Sequence, residues 1–482
     1  MVPCAALRRG RRRGADQGRH DHGLYLRPGS GAAGADGELG MTFFAIRGSR
    51  QLTSEEFLAH LALAIRLENV GVLLGAGASK GVGGMVMTDV WALLENEYPD
   101  QVQFLRDSKF LADGEQGNVE LLLDKLEIAC LDGERVGVDL TGLKAARHAL
   151  RKAVLRAAIL DEKLWSEPDQ AILHPKLSSH IRLVSRLAGN RQPGQAAPWA
   201  FTTNYDLALE WSAEALGLHC VNGFSGTHDR TFRPSSFDLG LRNVQARGEA
   251  RFGTYNLYLG KLHGSISWTA SKSGSVCELP SASVKPLVDQ FIASDESDDW
   301  PGFMIFPGAS KFVQTTAFVY GEVIRRFTEF LSRPNACLIV NGYGFTDDHI
   351  NRLLVSALQN PTLQLIIYLP EIDRLGVYDS LAATGDAIKP NEQLKRLLLA
   401  QLPQVTVRGF GPGGFFDALA NDLPEPAMLD EVSERARQLE ALLKQATNIQ
   451  VTKKPAAAVE EEAVAAAPET APAPGDDLED LL

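Results

Sequence analysis

Val72-Leu73-Leu74-Gly75-Ala76-Gly77-Ala78-Ser79 is the stretch from which the fold of this chain can be read. The apolar run at 70–74 is short and ends in glycine, which predicts a buried strand feeding a tight turn. Glycines at such a turn let the backbone approach a diphosphate closely, and free N–H groups can hold its oxygens. A GxG turn is also ordinary strand-to-helix punctuation. This one departs from the dehydrogenase fingerprint, because the next glycine, Gly81, stands one position late for GxGxxG. Glu95 has the spacing of a ribose-binding acid but falls in a predicted helix rather than on a second strand. Nucleotide binding is therefore expected here, and hydride transfer is not.

Outward from that turn, strands and helices alternate. Thr53 with Glu56 predicts a capping box ahead of Phe57, Leu61 and Ile65. Thr88 is expected to start a helix carrying Val90, Trp91 and Leu94. Helical patterning dominates 118–188, which reads as an insertion over about 105–195. Strand signals follow at 199–203, 255–262, 303–306, 337–340 and 363–368, with helices at 318–331 and 347–358. This alternation predicts an α/β fold with a parallel sheet covered on both faces.

Composition sets the class. The 482 residues are 45% hydrophobic and 22% charged, as in a globular chain with a large core. No apolar run reaches about 18 residues, so no membrane helix is expected and a cytoplasmic location is. None of Cys4, Cys130, Cys220, Cys277 and Cys337 lies within four residues of another, which argues against a cysteine zinc site. The net charge of -12 disfavours a chain that wraps nucleic acid by itself. Residues 1–40 hold seven arginines and a Gly/Ala stretch and are expected to be disordered, or an upstream extension with Met41 as the biological start; an arginine-rich arm is the alternative. The acidic Ala/Pro/Glu tail at 451–482 is expected to be disordered, with Asp476 to Leu482 open to reading as a docking peptide. The globular domain is thus expected over 41–450.

Three further stretches carry chemistry. Phe201-Thr202-Thr203-Asn204-Tyr205-Asp206 reads as a strand end, where open α/β sheets bind ligands. The Asn204 amide suits a ribose hydroxyl or a positioned water, while the bland reading is that Asn204 and Asp206 cap the next helix. Lys261-Leu262-His263-Gly264-Ser265 puts a histidine at a strand end, suited to general-base work, though most of the 10 histidines should be ordinary. Val340-Asn341-Gly342-Tyr343-Gly344 is again a strand and a glycine turn. Asn341 or the Gly342 backbone could meet a ribose, and Asp347 could cap a helix or contact ligand.

Taken in order, these four elements resemble the sirtuin-like superfamily over roughly residues 54–420. Within it the chain is similar to NAD-consuming subunits of bacterial antiphage defence, above all those encoded beside a HerA-type ATPase. The stretches 69–79, 191–226, 248–252, 306–308 and 319–327 carry that closer likeness. The resemblance implies a Rossmann-like parallel sheet with a largely helical insertion and no zinc module. It implies NAD as substrate, with the diphosphate on Gly75, Ala76, Gly77 and Ser79 and further contacts from Thr203, Asp206, Gly264, Asn341, Gly342 and Asp347. Asn204 and His263 take the catalytic roles, and no metal is expected.

The implied reaction is hydrolysis to ADP-ribose and nicotinamide, since the chain has no closely spaced cysteines for the zinc module of the deacetylating sirtuins and carries the helical stretch 118–188 in its place. Implied partners are a hexameric HerA-type ATPase and further copies of this chain, with DNA met only through the ATPase. The competing readings are a non-catalytic NAD or ADP-ribose sensor and an NAD-dependent deacylase.

Overall fold

The computed structural model describes residues 43–112, 114–166, 175–192, 195–241, 255–270, 275–294, 303–305, 313–370, 372, 392–426 and 435–442. The segments expected at 1–40 and 451–482, and the stretches 248–252 and 306–308, lie outside the described residues.

The main sheet has nine strands: β1 Phe44–Arg47, β2 Arg50–Leu52, β3 Asn69–Leu74, β4 Trp199–Thr202, β5 His219–Val221, β8 Asn256–Lys261, β12 Ala336–Asn341, β13 Gln364–Leu369 and β14 Val405–Gly409. Their order is β2-β1-β14-β13-β12-β3-β4-β8-β5. Seven strands are parallel, and β1 joins both β14 and β2 antiparallel at one edge. The chain leaves central β3 toward β4 and β8, then returns to β12 on β3's other side. That reversal is the switch point at which such sheets open a crevice beyond their carboxyl ends.

Strand alternation explains the two covered faces. Val70, Val72 and Leu74 of β3, with Cys337 and Ile339 of β12, enter one apolar core with Phe57, Ile181, Ala213 and Leu419. Leu73, Leu338 and Val340 point the other way, into a core with Phe327, Phe330, Ile350 and Leu397. Successive side chains of a strand face opposite sides, so near-continuous apolar runs are what a sheet covered twice requires. Each fully buried aliphatic side chain contributes about 1.5–3 kcal/mol.

A third core is separate. Helices Met87–Glu97, Pro99–Asp107, Val119–Val136, Thr141–Ile159 and Ser281–Ala293 pack Trp91, Leu105, Leu126, Leu155 and Phe291 together. The helix Ser178–Gly189, although within the expected insertion, buries Ile181 and Val184 against the main sheet instead. Thr53 does cap the helix Ser54–Ala64 in a full box with Glu56. The helix assigned to Thr88 starts one residue earlier, at Met87, where Asp89 accepts from the Val86 N–H at 3.1 Å.

A second, antiparallel sheet was not expected. It comprises β6 Phe224–Ser225, β7 Arg230–Phe232, β9 Gly264–Ala270, β10 Val276–Glu278 and β11 Phe303–Ile305, in the order β11-β9-β10-β7-β6. The strand read at 303–306 therefore belongs here, antiparallel to β9, and not to the parallel sheet. Among the described residues no helix is long and apolar enough to cross a membrane.

Candidate functional site

Register brings the four sequence motifs to one edge. Asn341 pairs with Leu74, Leu74 with Thr202, and Thr202 with Lys261. Gly342, Gly75, Thr203 and Leu262 are the next residues along, so β12, β3, β4 and β8 end in one row. Asn204 and His263 each stand two residues past the paired Thr202 and Lys261. Adjacent strands are about 4.8 Å apart, which makes their exit loops neighbours.

The Gly75–Ser79 turn is packed against the Gly342 loop. Gly75 N–H donates to Asn341 O at 3.1 Å, and Gly77 N–H donates to Gly342 O at 2.9 Å. A Cβ on Gly75 would stand 2.5 Å from Gly342 O, and one on Gly342 would stand 2.3 Å from Ala78 N. The close approach that the glycines allow is thus made, at these two N–H groups, to another backbone. Ala76 is exposed and Gly77 half-buried at the same turn.

Ser79 is buried and donates to Asp206 Oδ2 at 2.6 Å. The Asn204 amide donates to Gly75 O at 3.0 Å and to Ser79 Oγ at 2.8 Å. Two acceptors around Nδ2 settle which end of the amide is nitrogen. Asn204 therefore locks onto the glycine turn and does not cap a helix. Asp206 does both jobs, since its Oδ1 accepts from Ala208 N–H at 3.0 Å. Thr203 N–H donates to Leu74 O at 3.0 Å, tying the two exits together. Beneath them the buried Lys261 ammonium meets Glu210 Oε1 at 2.9 Å and donates to the Asp206 carbonyl. Burial pushes the Glu210 carboxyl up to about 7, against the opposing pull of Lys261.

His263 sits in the turn between β8 and β9, 7% exposed. Gly264 follows it with φ +101°, a backbone that favours glycine. The imidazole Nδ1 lies 3.5 Å from Glu120 Oε1. Tyr205 donates its hydroxyl to the same oxygen. Polar atoms of Glu120, His263 and Asp347 all lie within 4.8 Å of one another. The His349 ring is 5.6 Å from that of His263. Burial pushes His263 down, but the Glu120 hydrogen bond and charge, joined by Asp347, outweigh it and raise it above its ordinary value. Burial lifts Glu120, and the His263 and Tyr205 hydrogen bonds with the His263 charge pull it below normal overall. Asp347 is raised, by burial first and by Glu120 second, against the His263 charge. His349 is lowered by burial and by His263.

Glu120, His349 and Tyr205 were not singled out from sequence. Glu120 offered only one local signal, its place after the helix-capping Asn118. Asp347 occupies the cap position of the helix Asp348–Ala357 without a side-chain capping bond, and its carboxyl belongs to the cluster instead. Asn341 is 1% exposed and donates to Gly414 O at 3.2 Å, so its side chain ties β12 to the loop after β14. Two carboxylates and an imidazole also occur together at metal centres. Here Glu120 Oε1 already faces two protein donors, which favours acid–base work.

No curated protein matches the chain. The Gly75 turn and Glu120 lie upstream of the stretch that matches a known family, whereas Asn204, His263, Asn341, Gly342 and Asp347 lie within it. Residues 198–381 match the family model of a SIR2-like domain, which supports a sirtuin-like reading of the half of the site built by β4, β8 and β12.

Proposed function

We propose that this chain hydrolyses NAD to ADP-ribose and nicotinamide. One observation carries the reading: the SIR2-like stretch sets Asn204 and His263 on adjacent strand ends beside the glycine turn. The N-glycosidic bond between C1′ of the ribose and the nicotinamide nitrogen breaks, and its electron pair leaves with nicotinamide. Water adds at C1′ and loses a proton to His263 directly or through a ribose hydroxyl. Asn204, held by Gly75 and Ser79, orients the ribose and the water. The exposed face of the turn at Ala76 and Gly77, with Thr203, Gly264 and Gly342, lies along the row where the cofactor's phosphates and riboses would run.

The resemblance supports a setting for this activity: a homo-oligomer with a HerA-type hexameric ATPase, contacting DNA through that partner and depleting NAD during phage infection. The test is nicotinamide release from NAD by the purified chain, alone and with the ATPase. Asn204→Ala and His263→Ala are each expected to lower the rate at least about a hundredfold. Unchanged release in both variants would sink the mechanism. Tight NAD binding with no turnover in any state would favour the sensor reading, and turnover only with an acyl-peptide the deacylase.

A further inference from the structure

We propose that Glu120 is the positioning residue for His263, holding the imidazole through Nδ1 and leaving Nε2 to meet the substrate. The proposal rests on the reading of His263 as proton acceptor. It makes the helix Val119–Val136, far upstream of the family match, part of the catalytic apparatus.

Local structure explains why a carboxylate can be stationed there. Asn118 caps the helix, its Oδ1 accepting from Glu120 N–H at 2.9 Å and Leu121 N–H at 3.1 Å. Glu120 stands in the first turn, where the helix dipole favours negative charge. Its neighbours Val119, Leu122, Leu123 and Leu126 anchor that turn in the third core, beside Ile266 of β9. The carboxylate is thereby aimed at the β8–β9 turn. It accepts from the Tyr205 hydroxyl and lies 3.5 Å from His263 Nδ1. A carboxylate at Nδ1 requires the proton on that nitrogen and presents Nε2 as the acceptor. When Nε2 gains a proton the resulting imidazolium is stabilised by the same carboxylate, which remains ionised. The logic is that of the acid that orients a catalytic histidine in hydrolytic triads.

The groups facing the imidazole come from three elements. Glu120 is one, Asp347 and His349 at the head of the helix Asp348–Ala357 are others, and the Tyr205 hydroxyl acts through Glu120. Tyr320 and Tyr343 are neutral groups near Glu120 and Asp347. Glu120 is the largest source of the rise in His263. Removing its charge leaves Asp347 as the remaining acid in the cluster.

The experiment uses the full chain in whichever assembly releases nicotinamide, comparing wild type, Glu120→Gln and Glu120→Asp. The His263 ring is titrated by NMR with labelled histidine, and kcat and KM for NAD are measured across pH. In Glu120→Gln the His263 midpoint is expected to fall, and the acid limb of kcat to move with it to lower pH. Its kcat should drop about ten- to a hundredfold, part of the 10²–10⁴ that positioned acid–base groups supply, with KM within about threefold. Glu120→Asp, which keeps the charge on a shorter arm, should hold the midpoint near wild type and regain part of kcat. An unmoved His263 midpoint in Glu120→Gln overturns the proposal, as does a kcat equal to or above wild type. A wild-type chain that never turns over NAD defeats the hydrolase reading instead, and the NMR titration still reports whether the dyad exists.

Discussion

At the scale of single residues, the glycines illustrate how one signal serves two causes. Sequence marks Gly75, Gly77 and Gly342 as places where a backbone must come close to something. Tertiary structure supplies the something, which is the opposing loop. Gly342 has φ +65°, and its Cβ would stand 2.3 Å from Ala78 N. An alanine in that conformation alone costs about 1–2 kcal/mol, and a clash with backbone adds to it. Gly342→Ala should therefore lose at least about 2 kcal/mol of unfolding free energy in urea, and the displaced glycine turn should weaken NAD turnover. A loss under about 0.5 kcal/mol would show the two loops free to part. Asn204 was legible as a strand-end polar residue, because the residue type and the strand before it are both local. The resemblance implies a phosphate contact for its partner Ser79, whose hydroxyl donates to Asp206 and accepts from Asn204.

Elements were legible in proportion to how local their pattern is. β3, β12 and β13 announce themselves as apolar runs bounded by turn residues. β9 also had a signal, the alternation Ser265-Ile266-Ser267-Trp268-Thr269, in which Ile266 and Trp268 are buried in two different cores. It was hidden because His263-Gly264 reads as an end, and the chain there turns from one sheet into another. The helix Ser178–Gly189 gives a prediction at this scale. His180 is buried, its ring 4.4 Å from that of Phe416 on the helix Phe416–Asp422. Burial pushes His180 down to about 4, below the 6.5 usual for histidine. A depressed histidine leaves the unfolded chain binding the extra proton first, so stability is complete above about pH 6.5 and is lost as pH falls toward 4. The loss is on the order of 3 kcal/mol. His180→Leu should flatten that part of the stability–pH curve, measured by urea unfolding between pH 7 and 4. Equal slopes in the two proteins would assign the acid sensitivity elsewhere.

For the whole molecule, the parallel register is what turns scattered motifs into a site. Four strand ends in one row place residues from 75 to 342 side by side. The helical core containing Trp91, Leu126 and Phe291 then stands against the exit of β8 and contributes Glu120. Stability at this scale comes from the apolar cores, three large ones and a smaller one around Trp268 and Tyr320. Among the described residues Cys130, Cys220, Cys277 and Cys337 are free thiols, and Cys130 and Cys337 are buried. Excess EDTA is thus expected to leave both the thermal midpoint and NAD turnover unchanged. A midpoint lowered by several degrees would reveal a structural metal, and lost turnover alone would assign a cation to the Glu120, His263 and Asp347 cluster.

By itself the sequence determined the α/β class, the strand ends to within one residue of Leu74, Thr202, Lys261 and Asn341, and the polar residues that follow them. These are written in short-range patterns: apolar runs, glycine turns and caps that each span fewer than about ten residues. Tertiary structure alone decided the antiparallel sheet, the burial of Asn341, the mutual packing of the glycine loops and the arrival of Glu120 at His263. Each of these depends on which surfaces meet across long separations in the chain, and such meetings are set by sheet register and core packing rather than by local periodicity.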